Sequence, residues 1–193
     1  DLKKKIAGIE SGKVECENPE EELKTCKEQL DAAQKKLFKP IFGCEMYVAR
    51  RRMFDKDGKQ DQGGYHLVVL AKNKKGYHNL IKIVSRAWTE GFYSHPRTDK
   101  SELEKHHEGL IVCSACLGGE IPRLIQAGEI EEAERQVQWW KETFGDDYYI
   151  ELQRHKTNIP GSNHNVYEVQ ESVNPELIRI ARKYNIKLVA TND

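Results

Sequence analysis

The chain has 193 residues, 38% of them hydrophobic and 32% charged, with Lys plus Arg equal to Asp plus Glu at 31 each. A formal net charge of zero excludes a global electrostatic pull toward nucleic acid and leaves room only for a local DNA-facing patch. No apolar run approaches the roughly 20 residues of a membrane span, and no signal peptide is visible. The five cysteines, Cys16, Cys26, Cys44, Cys113 and Cys116, are odd in number and scattered. That argues against a secreted disulfide framework and for a reducing cytoplasm. The chain begins without Met and stops at Asp193 straight after an apolar run, as expected of an excised fragment.

Residues 1–37 read as a segment of their own. Leu2, Ile6 and Ile9 recur at helical spacing, and Gly12 is expected to end that helix. Asn18 then caps a second helix, with Pro19 at its first position and Glu20, Glu21 and Glu22 in the electropositive first turn. Leu23, Cys26, Leu30, Ala33 and Leu37 alternate three and four apart, a narrow apolar stripe on a charged helix. The expectation is an antiparallel helical hairpin, either a solvated insertion or a partner-binding coiled coil.

Residues 38–193 change to alternating strands and helices. Ile41 to Val48 reads as a strand, and 50–64, with Asp-Lys-Asp-Gly turn chemistry, as an exposed loop. His66 to Ala71 is a second strand. Tyr77, Leu80, Ile81, Val84 and Trp88 mark one helix face. Ser101 with Glu104 forms a capping box. Leu110 to Cys113 is the next strand, Gly118–Gln126 and Ile130–Phe144 are helices, and Tyr148 to Leu152 is a strand. Residues 156–173 read as mostly loop, and His164 falls there. Asn174 caps a helix with Pro175 at its first position and Leu177, Ile178, Ala181 and Tyr184 on its apolar face. Ile186 to Ala190 is the last strand. Repeated β–α alternation with near-continuous apolar strands implies an α/β fold with parallel strands covered by helices, closed or nearly closed into a barrel.

Side chains at C-terminal strand ends tend to be functional in such folds. Cys116 lies past the strand 110–113, beside two glycines that let backbone approach a ligand. Asp193 lies past the strand 186–190, as a metal carboxylate or a helix cap. Cys113 and Cys116 form a Cys-x-x-Cys, but a zinc ribbon needs a second pair and a redox pair would open a helix, so Cys113 reads as core. Glu45 sits mid-strand, where a carboxylate buried on both faces would be costly unless paired or metal-bound. His66 alone reads as a strand-edge histidine. Glu151 and His155 flank a strand end as a second constellation, with Arg154 or His155 at its rim.

Gly43-Cys-Glu45-Met-Tyr-Val, His66-Leu-Val-Val-Leu-Ala-Lys-Asn, Gly76-Tyr-His-Asn-Leu, Gly109-Leu-Ile-Val-Cys-Ser-Ala-Cys116-Leu-Gly-Gly-Glu and Ala190-Thr-Asn-Asp193 follow one another in this order. They resemble the PHP (polymerase and histidinol phosphatase) domain at the front of bacterial DNA polymerase III alpha subunits, from Pro40 to Asp193. The segment before Pro40 resembles an insertion found in some members, notably those of Bacteroides-like bacteria. The resemblance implies a distorted, seven-stranded β/α barrel, here truncated at both ends, with a centre of Zn, Mn or Fe. It implies that Glu45 is a bridging ligand, His66 a histidine ligand, Cys116 the position held by Cys or His, and Asp193 the aspartate of a closing Asp-x-His. The family's His-x-His, the following aspartate and Thr-Asp-His would precede residue 1, so metal binding in this fragment is expected to be weak or absent. The implied activity is phosphodiester hydrolysis of the 3′–5′ exonuclease or pyrophosphatase type, beside DNA synthesis by the parent polymerase. The implied partners are DNA and other replicase subunits, including a proofreading exonuclease and the sliding clamp. The alternative is a non-catalytic scaffold that docks the proofreading subunit.

Overall fold

A computed structural model describes residues 1–36, 39–161 and 165–193. The chain divides into two compact units, Asp1–Pro40 and Ile41–Asp193. Leu37 and His164 lie outside the described residues.

The first unit holds α1 (Leu2–Glu10) and α2 (Pro19–Lys35). The Asn18 side chain accepts from the Glu21 N–H, and Pro19 opens the helix with the three glutamates in its first turn, as the capping chemistry predicts. Ile6, Ile9 and Cys26 are buried, but the stripe fades beyond Leu30, and Ala33 is exposed. Ion pairs join Lys5 to Glu22 at 3.4 Å and Glu10 to Lys27 at 2.8 Å. Partner positions rise together along the two helices, whereas an antiparallel hairpin requires them to fall.

The second unit contains β1 (Gly43–Val48), α3 (Gly58–Asp61), β2 (Tyr65–Ala71), α4 (Lys74–Thr89), β3 (Arg97–Thr98), α5 (Lys100–Lys105), β4 (Leu110–Cys113), α6 (Glu120–Gln126), α7 (Ile130–Phe144), β5 (Tyr148–Leu152), α8 (Asn165–Lys183) and β6 (Lys187–Ala190). The strands form one mixed sheet in the order β3-β1-β2-β4-β5-β6. The expectation of an all-parallel sheet fails at β2, which runs antiparallel to both β1 and β4, while the β1–β3, β4–β5 and β5–β6 pairs are parallel. The link from β1 to β2 carries only the four-residue α3, with no helix long enough to cover the sheet as a parallel crossover usually does, and β2 folds back. Short β3 covers only Tyr47 and Val48. Among the described residues Gly43–Met46 therefore has no strand on that side.

Period-two alternation puts Met46, Val48, Leu67, Val69, Leu110, Val112, Tyr148 and Ile150 on one face. There they are buried with Leu80 and Ile83 of α4, Val137 and Trp140 of α7, and Leu177 and Ile180 of α8. Trp140 stacks on Phe144 and Tyr148 with centroids 5.8 Å apart, and its Nε1 donates to Glu120 at 2.9 Å. The opposite face carries Glu45, Tyr47, His66, Val68, Ile111 and Tyr149, none of them fully buried, together with Cys113 and Glu151, which are.

Four local expectations shift. The buried face of α4 is Gly76, Asn79, Leu80, Ile83 and Ala87, while Tyr77, Ile81 and Trp88 point to solvent, Trp88 59% exposed and stacked on Phe92. Apolar residues on both sides of the helix make the face ambiguous in sequence. The cap of α5 is Asp99, which accepts from the Glu102 N–H, and Ser101 lies within the helix and donates to Asp99. Helix α8 begins at Asn165 and runs through Pro175. Asn174 does not cap it, because its side chain donates to the Gln153 carbonyl, and burial of Gln170 and Val173 holds the upstream turns. The stretch 50–64 is not simply an exposed loop, since Met53 and Asp61 are buried.

What organises that stretch is Arg97, which is fully buried. Its guanidinium donates to the carbonyls of Gly91 (3.1 Å), Asp61 (2.5 Å), Met53 (2.9 Å) and Asp55 (2.9 Å). Asp99 accepts from the Met53 N–H at 2.9 Å from the same side of the fold. A planar five-donor fork suits several carbonyls at once. Arg97→Met should orphan them and cost about 2–4 kcal/mol, read as a lower urea midpoint. On the helical side, Glu134 of α7 is bonded by Lys183, Arg179 and Tyr184. These bonds lower its pKa to about 2 against the opposing effect of burial. A depressed carboxylate stabilises the fold above the ordinary glutamate range, and that stabilisation is lost as pH falls through about 2. Its cationic partners are half exposed, so Glu134→Gln should cost only about 1 kcal/mol at neutral pH, with the gap to the parent closing in acid.

Candidate metal centre

The reversal of β2 decides what meets at the sheet edge. His66, near the start of β2, is paired with Tyr47 near the end of β1, and Glu45 is the next residue of β1 on the same face. A residue at the start of an antiparallel strand thus joins those at the ends of the parallel ones. His66 Nδ1 lies 3.0 Å from Glu45 Oε1 and 3.5 Å from Cys116 Sγ. The ligand atoms of Glu45, His66 and Cys116 all lie within 4.8 Å of one another. Glu45 is not a buried carboxylate: its side chain is 52% exposed and that of His66 34%. Only one face of β1 packs on helices, so the desolvation reasoning for Glu45 fails although the residue reaches the cluster.

Cys116 is delivered by the turn between β4 and α6. Ala115 has φ +61°, a left-handed conformation uncommon for a non-glycine residue. The Gly118 N–H donates to the Cys116 sulfur at 3.4 Å, and the His66 N–H donates to the Gly118 carbonyl at 3.1 Å. Burial pushes the Cys116 thiol above its ordinary pKa, and the nearby carboxylates of Asp193 and Glu45 push it further, against the lowering effect of the Gly118 N–H. Asp193, the fourth expected residue, bears electrostatically on that thiol but lies outside the group in mutual ligand distance, its N–H 3.3 Å from His155 Nε2. The structure brings all four candidates to one neighbourhood, three of them into mutual ligand distance. Cys113, by contrast, is buried core, its thiol pushed up to about 12 by burial and by Glu151, in keeping with its reading from sequence.

The two glycines do allow close approaches, Gly118 to the His66 ring and Gly119 to the backbone of its own turn. A Cβ on Gly118 would sit 3.0 Å from His66 Cγ, and one on Gly119 would sit 2.1 Å from the Ser114 carbonyl oxygen.

Three neighbours were not singled out from sequence. Tyr47 packs edge-on to His66 (5.0 Å, 83°) and stacks on His95 (4.6 Å, 18°). Gln170 of α8 accepts from the His155 N–H and meets His155 Nδ1, both at 2.7 Å. If Nδ1 accepts from the Gln170 amide, neutral His155 carries its proton on Nε2. The 3.3 Å approach of that nitrogen to the Asp193 N–H is then a contact between two donors. Ser114 accepts from the Glu151 N–H through its hydroxyl at 2.9 Å. The period-two pattern marks Tyr47 as facing His66, but Gln170 becomes visible only once 165–173 is known to be helical.

The donor set of imidazole, thiol and carboxylate suits borderline metals such as zinc, iron or manganese, and its open, half-exposed geometry leaves room for a further ligand. Comparison with known proteins agrees with this chemistry. The PHP domain model matches residues 17–155. The chain belongs to the PHP domain family. It is 46% identical over 164 residues to a protein of Borreliella burgdorferi named DNA polymerase III subunit alpha, covering 83% of this chain and 13% of that protein. A Thermus aquaticus protein of the same name is 46% identical over 157 residues, 80% of this chain and 12% of that protein. One from Chlamydia muridarum is 37% identical over 182 residues, 88% of this chain and 14% of that protein. The chain thus spans about an eighth of the length of the curated relatives it matches first. PHP domains are typically metal-dependent, and the cluster at Glu45, His66 and Cys116 is where such chemistry fits this chain. No helix among the described residues is long and apolar enough to cross a membrane.

Because the Gly118 Cβ position abuts the His66 ring, Gly118→Ala should displace that imidazole by a few tenths of an ångström. We expect weaker binding of a divalent cation with little change in melting temperature, measured by calorimetric titration alongside thermal unfolding.

Proposed function

We propose that this chain is the PHP portion of a bacterial DNA polymerase III alpha subunit, and that its cluster is part of a metal-dependent phosphoesterase site of the 3′–5′ exonuclease or pyrophosphatase type. The observation that carries the reading is the meeting of Glu45, His66 and Cys116 within ligand distance, from three segments far apart in sequence, with Asp193 alongside. In this reading Glu45, His66, Cys116 and Asp193 are the metal ligands. A bound zinc, manganese or iron ion supplies an activated water and charge stabilisation on phosphate oxygens. The chain's own part is geometric. The β1–β2 ladder holds Glu45 and His66 on one face, the Gly118 N–H steadies the Cys116 sulfur, and Tyr47 fixes the His66 ring from the side. A coordinating thiol must lose its proton, so cation binding at Cys116 should release one.

We further infer that the mixed sheet is the larger part of a PHP-type distorted β/α barrel, seven-stranded in the family, and that its half-covered face is the barrel interior. Residues 1–37 are then an inserted two-helix segment and 38–193 a partial PHP domain. DNA, a proofreading exonuclease subunit and the sliding clamp are the proposed partners of the whole protein, in a cytoplasmic setting. DNA synthesis would belong to other parts of it.

Titration with Co(II) tests the site. A chain extended at both ends should develop a thiolate-to-cobalt charge-transfer band with proton release, and the parent chain the same band at weaker affinity. Cys116→Ser should abolish the band, and Glu45→Gln should weaken binding by about 10-fold or more. Absence of any band in the parent, and in a chain extended at both ends, would leave the scaffold reading.

A further inference from the structure

Glu151 is a carboxylate with an unusual setting. It sits in β5 at only 5% exposure, and among the described residues no Lys, Arg or His pairs with it. Burying a charge is costly unless it is bonded or compensated, so its bonds matter. One oxygen accepts from the Ala115 N–H at 2.8 Å and the other from the Thr191 hydroxyl at 2.5 Å. Ala115 is the left-handed residue immediately before Cys116. Thr191 follows β6 and stands two residues before Asp193. The same carboxylate thus ties the exit of β4 to the exit of β6, across the strand between them. Gln153, two residues on, extends the tie by donating to the Thr191 hydroxyl at 3.3 Å, while its own Oε1 is buried with no partner among the described residues. Glu151, Gln153, Gln170 and Asn174 line a cavity of about 10 Å³ behind Cys116, close to the lower limit for one water molecule.

We propose that Glu151 is a positioning residue of the metal centre: by joining the Ala115 N–H to the Thr191 hydroxyl, its buried carboxylate sets where Cys116 and Asp193 stand relative to each other. The proposal rests on the reading of those two residues as cation ligands. It accounts for two features that reading leaves aside, namely the left-handed turn at Ala115 and a buried acid with no cationic partner. A bound cation at Cys116 would also supply the positive charge that the setting of Glu151 lacks.

The test is Co(II) titration of the parent chain and of Glu151→Ala, Thr191→Val and Thr191→Ser, each with circular dichroism and thermal unfolding. Hydrogen exchange at the Ala115 amide is followed in metal-free protein. Glu151→Ala and Thr191→Val should each weaken Co(II) binding by about 10–100-fold per folded molecule, and Thr191→Ser should keep parental affinity. Glu151→Ala should also speed exchange at Ala115. If Glu151→Ala does not fold, the two Thr191 variants decide. A lower melting temperature with unchanged Co(II) affinity in the folded molecules would reduce Glu151 to a structural role and overturn the proposal. No cobalt band in the parent or in a chain extended at both ends would sink the metal reading instead, and the exchange rate at Ala115 would then judge the clamp: no acceleration in Glu151→Ala refutes it.

Discussion

Two antiparallel ladders, β1 with β2 and β2 with β4, govern this molecule. They place one reversed strand among five that share a direction. Side chains from the start of that strand therefore appear at the edge where the other strands end. Without the reversal His66 would lie at the far end of the sheet from Cys116. The same ladders fix register: a slip of one residue would turn Glu45, Tyr47 and His66 into the helix-packed face and expose Met46 and Leu67. Burial of Leu67 and Val69 against α4 therefore secures the cluster as firmly as any bond within it.

Around that frame, buried polar groups hold the connections that the ladders do not reach. Arg97 and Asp99 gather the stretch between β1 and β2 through backbone carbonyls and an N–H. Glu151, Ser114, Thr191 and Gln170 do the same where β4, β5 and β6 end. These bonds are made largely to backbone, so they fix loop paths and not merely side-chain partners. Such networks rigidify when every member is satisfied. The Oε1 of Gln153, without a partner among the described residues, is a gap in one of them.

Much of this was legible in the residues. Strand-type apolar runs located β2, β4, β5 and β6 to within a residue or two, and Asn18 with Pro19 marked the start of α2. The rule that strand ends carry chemistry found Cys116 and Asp193, but it passed over His66, because strand direction is a tertiary property. Glu45 was noticed on a burial argument that the exposed face of β1 does not support. Only the ordered set of motifs joined the four. The α4 face was misjudged because Ile81 and Trp88 are apolar yet solvent-facing, and the start of α8 was hidden by the Asn174-Pro175 pair, which mimics a helix beginning. Local signals are strongest where the competing packing is weakest, and both errors fall where packing overrode them.

The uncovered margin of β1 has a practical meaning. From Gly43 to Met46 its outward amides and carbonyls lack a neighbouring strand among the described residues, and short β3 shields only the far end. Bare strand margins recruit extended backbone from other molecules. In the seven-stranded barrel proposed above, this margin is where a further strand would dock, and the same row of donors and acceptors would accept a short extended peptide in its place.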